Sequence, residues 1–148
     1  MEYKKEQIGE DLLNLICEFY EKDSKARTFG TDTELYHSEI HMLQCIMEHP
    51  GLHISGIACL LGITRGAASQ TVKRLERKKM IVKETSPTNC KKIVMHLTSK
   101  GETACQNHKK AHEKYCAVIL TFLTDASAEQ LQFFSGFLSK FKKFLEEE

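Results

Sequence analysis

The chain has 148 residues, 41% of them hydrophobic and 28% charged, which suits one domain with a core of its own. No apolar run approaches the ~18 residues of a membrane span and no signal-like apolar segment is visible, so we expect a cytoplasmic protein without membrane contact. The net charge is +1, but residues 62–100 carry ten lysines and arginines against two glutamates. This uneven distribution indicates a localised face for an anionic partner.

The first third of the chain predicts two helices. Apolar residues such as Ile8 and Leu12 recur at three- and four-residue steps from residue 5 to residue 29, which is the period of an amphipathic helix. Residues 36–48 show the same period. The Pro-Gly pair that follows should end this second helix, because proline cannot continue the hydrogen-bond ladder.

Two short helices joined by a glycine-containing turn come next. The first begins at Ser55, and the second is expected from Arg65 to about Lys79. Thr64 should be the N-cap of the second helix, because its hydroxyl can accept a hydrogen bond from an unpaired backbone N–H. The second helix has one narrow apolar stripe and a basic opposite face. Together the two helices have a helix-turn-helix pattern.

The remaining elements are a hairpin and two long helices. β-branched runs on both sides of the turn at residues 86–89 predict a hairpin, which would form a wing directly after the helix-turn-helix. A helix from residue 98 to about 122 follows, and a last helix begins after Ser127. Its apolar stripe is too wide for a lone surface helix. We therefore expect a dimer interface at the chain ends, and the alternative is that the stripe covers the domain's own core. The expected interface residues are Ile8, Leu12, Leu131, Phe134, Leu138 and Phe141.

Residues 38–101 resemble the MarR family of winged helix-turn-helix transcriptional regulators. The resemblance rests on the order and spacing of three segments: ISGIACLLGI at 54–63, GAASQTVKRLERKKMIV at 66–82 and LTSKG at 97–101. Each segment alone is a modest signal, but the three together are specific. The flanking helices also fit, so the resemblance extends over nearly the whole chain.

The resemblance implies a mainly α fold with a small β-hairpin wing. Residues 1–148 would form a single unit, with the winged helix-turn-helix DNA-binding region at 36–100 and dimerisation helices at 1–30 and 101–148. It implies a homodimer that binds a palindromic operator in double-stranded DNA, usually as a repressor that a small-molecule inducer relieves. One departure lies in the wing, where Asn89-Cys90-Lys91 replaces the family's usual Asp-Arg-Arg. The arginine that often enters the minor groove is therefore absent.

The basic helix and the wing supply candidate DNA contacts. Residues near the helix N-terminus should reach base edges, since arginine can pair with guanine and glutamine with adenine. These residues are Arg65, Gly66, Ala67, Ser69 and Gln70. Cations further along should contact phosphates, which position the protein without reading sequence. These cations are Lys73, Arg74, Arg77, Lys91 and Lys92. For Arg74 and Arg77 the alternative is intramolecular ion pairing, while Lys78 and Lys79 are interpreted as solvated.

Histidines and cysteines suggest how such a regulator would be controlled. In zinc-sensing members of the MarR family a histidine of the second helix joins two of the fifth, and a similar placement here implies zinc or another divalent metal at His41, His108 and His112. The alternative is that residues 107–110 form a solvated helix face. Cys90 is the candidate for redox sensing, whereas Cys17 is expected to be a buried, inert thiol. No residue identifies the aromatic inducer that is common in the family.

Two other classes of function are weighed against DNA binding. A protein-interaction adaptor with a basic face would bind acidic partners without dependence on DNA sequence. An enzyme is not expected, because the chain contains no nucleophile elbow, Gly-rich phosphate loop or HExxH motif.

Overall fold

The structure, a computed structural model, describes the backbone of residues 4–86 and 89–147 and the side chains of residues 4–85 and 93–147. These residues form six helices and one hairpin, which confirms the expected mainly α fold. In chain order the elements are α1 Lys5–Asp23, α2 His37–Glu48, α3 Ile54–Leu60, α4 Arg65–Arg77, β1 Ile81–Ser86, β2 Asn89–Leu97, α5 Ser99–Leu123 and α6 Ala128–Glu147. Over the described ranges, no helix is both long enough and apolar enough to pass through a bilayer.

The chain forms two compact units, Met1–His108 and Lys109–Glu148. The first contains α1 to α4, the hairpin and the beginning of α5. The second contains the rest of α5 and α6. Among the described residues, Leu35 is the first buried residue of the chain and His108 is the last, so the core lies within the first unit.

The core of the first unit is built by α2, α3, α4, the hairpin and the start of α5. The stripe expected on α4 is confirmed, because Ala68, Val72 and Leu75 are each at most 1% exposed. Leu43 of α2 is completely buried beside them in the same cluster. Burying a side chain of this size stabilises the fold by about 1.5–3 kcal/mol. The packing therefore fixes which face of α4 points outward.

Helix caps form where the sequence predicts them. Thr64 Oγ1 accepts a hydrogen bond from the backbone N–H of Ala67 at 3.2 Å, which starts α4 at the expected residue. Ser127 and Gln130 form a reciprocal capping box at the start of α6. A cap of this kind stabilises a helix by about 1 kcal/mol. The residue at which α4 begins is thus set by a local contact.

Two positions require glycine, one because of its backbone conformation and the other because of a close approach. Gly62 has a φ of 64° in the turn between α3 and α4, which confirms the tight turn expected there. Gly101, at the start of α5, lies so close to the hairpin that a Cβ atom would overlap the carbonyl oxygen of Met80. The same oxygen accepts a hydrogen bond from the N–H of Thr98 at 2.9 Å.

Some element boundaries differ from the prediction. The first helix was expected to reach residue 29, but α1 ends at Asp23. The chain then enters a loop, because Arg27 and Leu35 exchange two backbone hydrogen bonds of 3.0 and 2.8 Å and Phe29 takes a left-handed φ of 46°. The second strand begins at Asn89, which the prediction had placed in the turn at residues 86–89.

Candidate nucleic-acid interface and histidine cluster

The outward face of α4 carries small, polar and basic residues that the sequence assigned to DNA contact. Gly66, Gln70, Lys73 and Arg77 are exposed, and at 100° per residue they fall within about 60° of one another around the helix. This face is opposite the buried stripe. Arg65 and Ala67 are also exposed near the helix N-terminus, whereas Ser69 is half-buried. The candidate contacts of α4 thus form one surface.

Ion pairs connect both flanks of α4 to neighbouring elements. On the α2 side, Lys78 Nζ lies 2.6 Å from Glu39 Oε2 and Arg74 Nε lies 3.5 Å from Glu39 Oε1. On the hairpin side, Lys83 Nζ of β1 lies 2.5 Å from Glu76 Oε2. These contacts hold α4 between α2 and the hairpin. Its outward face is therefore presented in a defined orientation.

Two cations of this region differ from their first interpretation, Lys78 from a solvated side chain and Arg74 from a phosphate contact. Lys78 was interpreted as solvated, but it pairs with a buried carboxylate and also donates to the carbonyl oxygen of Glu34 at 2.9 Å. Arg74, a candidate phosphate contact, makes the intramolecular ion pair that was its alternative and donates to Thr71 Oγ1 at 2.9 Å. Glu39 is more than 30 residues from both cations in the sequence, so the pattern of residues around α4 gives no sign of these contacts.

The hairpin follows α4 directly, as expected for a wing. Its strands pair antiparallel from Ile81 with Leu97 to Thr85 with Ile93, and a further bridge joins His53, before α3, to Val94. The side chains of Cys90, Lys91 and Lys92 lie outside the described residues. Their expected roles in redox sensing and phosphate contact therefore stay predictions.

A cluster of side chains with metal-binding chemistry lies around the start of α2. His37 Nδ1 is 2.9 Å from Asp23 Oδ2, and the rings of His37 and His41 are 4.1 Å apart. One ligand atom from each of Asp23, His37 and His41 lies within 4.8 Å of the other two. Imidazole nitrogens and a carboxylate oxygen are ligands that zinc and similar divalent metals prefer. We call these three residues the histidine cluster.

His108 lies next to the histidine cluster. Its ring is 5.2 Å from that of His41 and 5.5 Å from that of Phe29, edge-on to both. His108 is only 4% exposed, and neighbouring Asn107 donates a 2.9 Å hydrogen bond to the carbonyl oxygen of Phe29. The interpretation of this stretch as a solvated helix face is therefore wrong for His108.

The predicted metal ligands only partly match the histidine cluster. The structure brings His41 and His108 together, but His112 is an exposed residue of the other unit, and its grouping with them stays a prediction. The predicted set omits Asp23 and His37. His37 stands four residues before His41, a spacing that places both on one helix face. Asp23 gives no comparable signal, because a loop separates it from α2.

Five cysteines are described, and all are free thiols. Cys45 and Cys105 are buried, whereas Cys17, Cys59 and Cys116 are exposed. Burial, reinforced by neighbouring carboxylates, raises the pKa of Cys105 to about 12, so this thiol stays protonated at neutral pH. The expectation that Cys17 is buried is wrong, because every residue of α1 is at least partly exposed in the single chain.

Sequence comparison identifies relatives among transcriptional regulators. Residues 35–93 match the model of the MarR family. The chain is 34% identical over 86 residues to a putative transcriptional regulatory protein for the hcr operon of Thauera aromatica, covering 58% of this chain and 52% of that protein. It is 26% identical over 111 residues to the HTH-type transcriptional regulator PchR of Bacillus subtilis (strain 168), covering 75% and 66%. The chain thus spans about half to two thirds of the length of these relatives.

Solved structures share the fold along nearly the whole chain. FabT of Streptococcus pneumoniae in complex with DNA has a TM-score of 0.77 at 23% identity, covering 97% of this chain and 99% of that chain. Wild-type ZitR of Lactococcus lactis in complex with DNA has a TM-score of 0.79 at 20% identity with the same coverage. Another structure of L. lactis ZitR, described as that of a zinc-responsive MarR family member, has a TM-score of 0.76 at 21% identity. It covers 95% of this chain and 98% of that chain. Residues 35–93 are thus similar to the MarR family, as the segments at 54–63 and 66–82 indicated, and the solved structures share the fold of the chain.

Proposed function

We propose that the chain is a sequence-specific DNA-binding transcriptional regulator. The observation that carries the proposal is the outward face of α4, where Gln70, Lys73 and Arg77 are exposed together. An α-helix fits the major groove of DNA, and polar side chains on its outer face can reach bases and phosphates. Ion pairs on both flanks hold this face outward. The relatives described as transcriptional regulators support the same function.

The proposed regulator acts as a homodimer. All residues of α1 and α6 are described, and none of them is buried. Ile8 of α1 and Leu131, Phe134 and Leu138 of α6 are between 41% and 54% exposed, and apolar side chains exposed to this extent on a helix face are typical of an interface. Leu12 and Phe141 are half-buried members of the same expected interface. A two-fold dimer would present two α4 helices to half-sites about 34–36 Å apart, which is the geometry of a palindromic operator.

The proposed mode of action is repression that a small ligand relieves. Its support is the similarity of residues 35–93 to the MarR family. A metal-responsive regulator is the second candidate, and the histidine cluster favours it. Asp23, His37 and His41 offer one carboxylate and two imidazole ligands, and the solved structure of ZitR is described as that of a zinc-responsive protein. Zinc bound there would join the end of α1 to α2, the helix that also contacts α4 through Glu39.

DNA binding can be tested by fluorescence anisotropy with the duplex upstream of the chain's own gene and a scrambled duplex, across a salt series. We expect tight, salt-sensitive binding to the first duplex only. Gln70→Ala should cost about 1–3 kcal/mol on the specific duplex and little on the scrambled one. Gln106→Ala, at an exposed glutamine of α5, is the matched control. Equal losses on both duplexes would remove Gln70 from base readout. No binding at any salt concentration would contradict the proposal and favour the adaptor.

The metal-responsive candidate can be tested with zinc and a competing chromophoric chelator. We expect zinc binding that His41→Ala and His37→Ala both weaken, together with a zinc-dependent change in DNA affinity that His41→Ala abolishes. His49→Ala, at the exposed histidine that follows α2, is the control and should retain zinc binding. If His41→Ala binds zinc as tightly as the unaltered protein, the histidine cluster is not the metal site.

A further inference from the structure

Glu39 of α2 is a completely buried carboxylate in the first unit, with 0% exposure. A buried charge is strongly unfavourable unless partners compensate it. Glu39 Oε2 accepts a 2.9 Å hydrogen bond from the N–H of Tyr36, but that contact only closes the N-terminus of α2. The compensating charges come from α4 and from the residue that follows it.

Two cations converge on this carboxylate, Arg74 of α4 and Lys78, the residue that follows α4. Lys78 Nζ lies 2.6 Å from Oε2 and Arg74 Nε lies 3.5 Å from Oε1. Lys78 is held further by the carbonyl oxygen of Glu34 and by the ring of Tyr36, whose centroid is 5.3 Å away. Both cations therefore point from the flank of α4 toward α2.

The outward cations of α4 are in a different situation. Within the described part of the chain, neither Lys73 nor Arg77 belongs to an ion pair, and both are exposed. They are therefore available to phosphates. The basic segment 73–78 thus contains two groups of cations, one exposed without an ion pair among the described residues and one paired with Glu39.

We propose that Glu39 is a specificity-determining positioning residue, which withholds Arg74 and Lys78 from DNA phosphates and fixes the orientation of the outward face of α4. The inference rests on the proposed DNA-binding function. Each phosphate that a cation neutralises adds affinity for any sequence, so withholding two cations lowers binding to random DNA. Base contacts from Gln70 then make up a larger share of the total affinity.

The salt dependence of DNA affinity measures how many cations reach phosphates, because each one changes the slope of log K against log salt by about 0.9. In the dimer each substitution counts twice. We expect Arg77→Gln to make the slope shallower by about 1.8 and Lys78→Gln to leave it unchanged. Glu39→Gln keeps the shape of the side chain and its acceptor for Tyr36, but it releases two cations per chain. It should make the slope steeper, raise affinity for scrambled DNA and lower the ratio of specific to scrambled binding.

A purely structural role of Glu39 would lower both affinities without making the slope steeper, and this result would overturn the inference. If Glu39→Gln does not fold, the salt dependence of Lys78→Gln tests the inference instead. A slope reduced as much as in Arg77→Gln would show that Lys78 contacts DNA phosphates, and this would overturn the inference. Failure of the proposed function looks different. In that case Lys73→Gln and Arg77→Gln also leave the slope unchanged, or the unaltered protein shows no salt-dependent binding.

Discussion

The segment from α2 to the hairpin and the helices at the chain ends have similar amphipathic sequences but opposite burial. Leu43, Leu75 and Met95 in the first region are at most 1% exposed. In α1 and α6, by contrast, every residue is described and none is buried. An apolar period therefore predicts that a helix has an apolar face, but it does not predict what covers that face.

Helix α5 has buried residues in its first half and exposed apolar residues in its second half. Its buried residues are Gly101, Ala104, Cys105 and His108, all in the first unit. Further along, Val118 is 53% exposed and Phe122 is 79% exposed. The contrast between a core completed within one chain and apolar faces that the proposed dimer would cover can be tested by substitutions in each region.

The largest expected effect is the loss of core packing in Leu43→Ala. Removing a fully buried leucine side chain should lower the free energy of unfolding by about 2–5 kcal/mol, because a cavity remains in the core. Urea denaturation measures this change. Leu60→Ala, at a leucine of α3 that is 55% exposed, is the control and should change stability by about 0.5 kcal/mol or less. Similar losses for both variants would mean that the two positions do not differ in packing.

A charge on the apolar face of α6 should separate the proposed dimer. Phe134 is 42% exposed in the single chain, and Phe134→Glu would bury a carboxylate at the interface. We expect the dimerisation free energy to weaken by at least about 2 kcal/mol, which light scattering coupled to size exclusion detects as monomer at low concentration. The circular dichroism of the helices in the first unit should be retained. Lys140→Glu, at an exposed position of α6, is the control, and an unchanged dimer in Phe134→Glu would contradict the proposed interface.

The smallest expected effect at neutral pH concerns Cys105, in the buried half of α5. Its pKa is about 12 in the folded chain against 9.0 for an unperturbed thiol. Between these values the unfolded chain has lost the proton and the folded chain has kept it, so stability should fall as pH rises from 9 toward 12. Urea denaturation across this range should show a smaller decline in Cys105→Ala than in the unaltered protein.

Thiol labelling compares the two halves of α5 directly. At pH 8, Cys116 should react quickly with a thiol reagent because it is exposed, whereas Cys105 should react only when the core opens. Equal labelling rates for the two cysteines in the folded protein would contradict the burial of Cys105.

Local signals explain most of the fold that the sequence predicted. Thr64 caps α4 through a residue three positions away, and the inward stripe of α4 follows from helical spacing. The predicted end of α1 was wrong because the backbone of Arg27 pairs with that of Leu35 across a loop. The spacing of apolar residues along the helix does not predict such a contact. In the candidate site, Gln70 and Arg77 were found from the basic face of one helix. The contact of Glu39 with Lys78 and that of Asp23 with His37 join separate elements, so they become visible only when those elements pack.

Gly101 limits how the sequence can vary at the junction between the hairpin and α5. Any side chain there would overlap the carbonyl oxygen of Met80, so saturation mutagenesis should tolerate glycine alone at this position. Gly9 of α1 has open space around its Cβ position in the single chain, and alanine there should even favour the helix. A homologous protein could therefore carry another residue in place of Gly9, whereas it would have to keep glycine in place of Gly101.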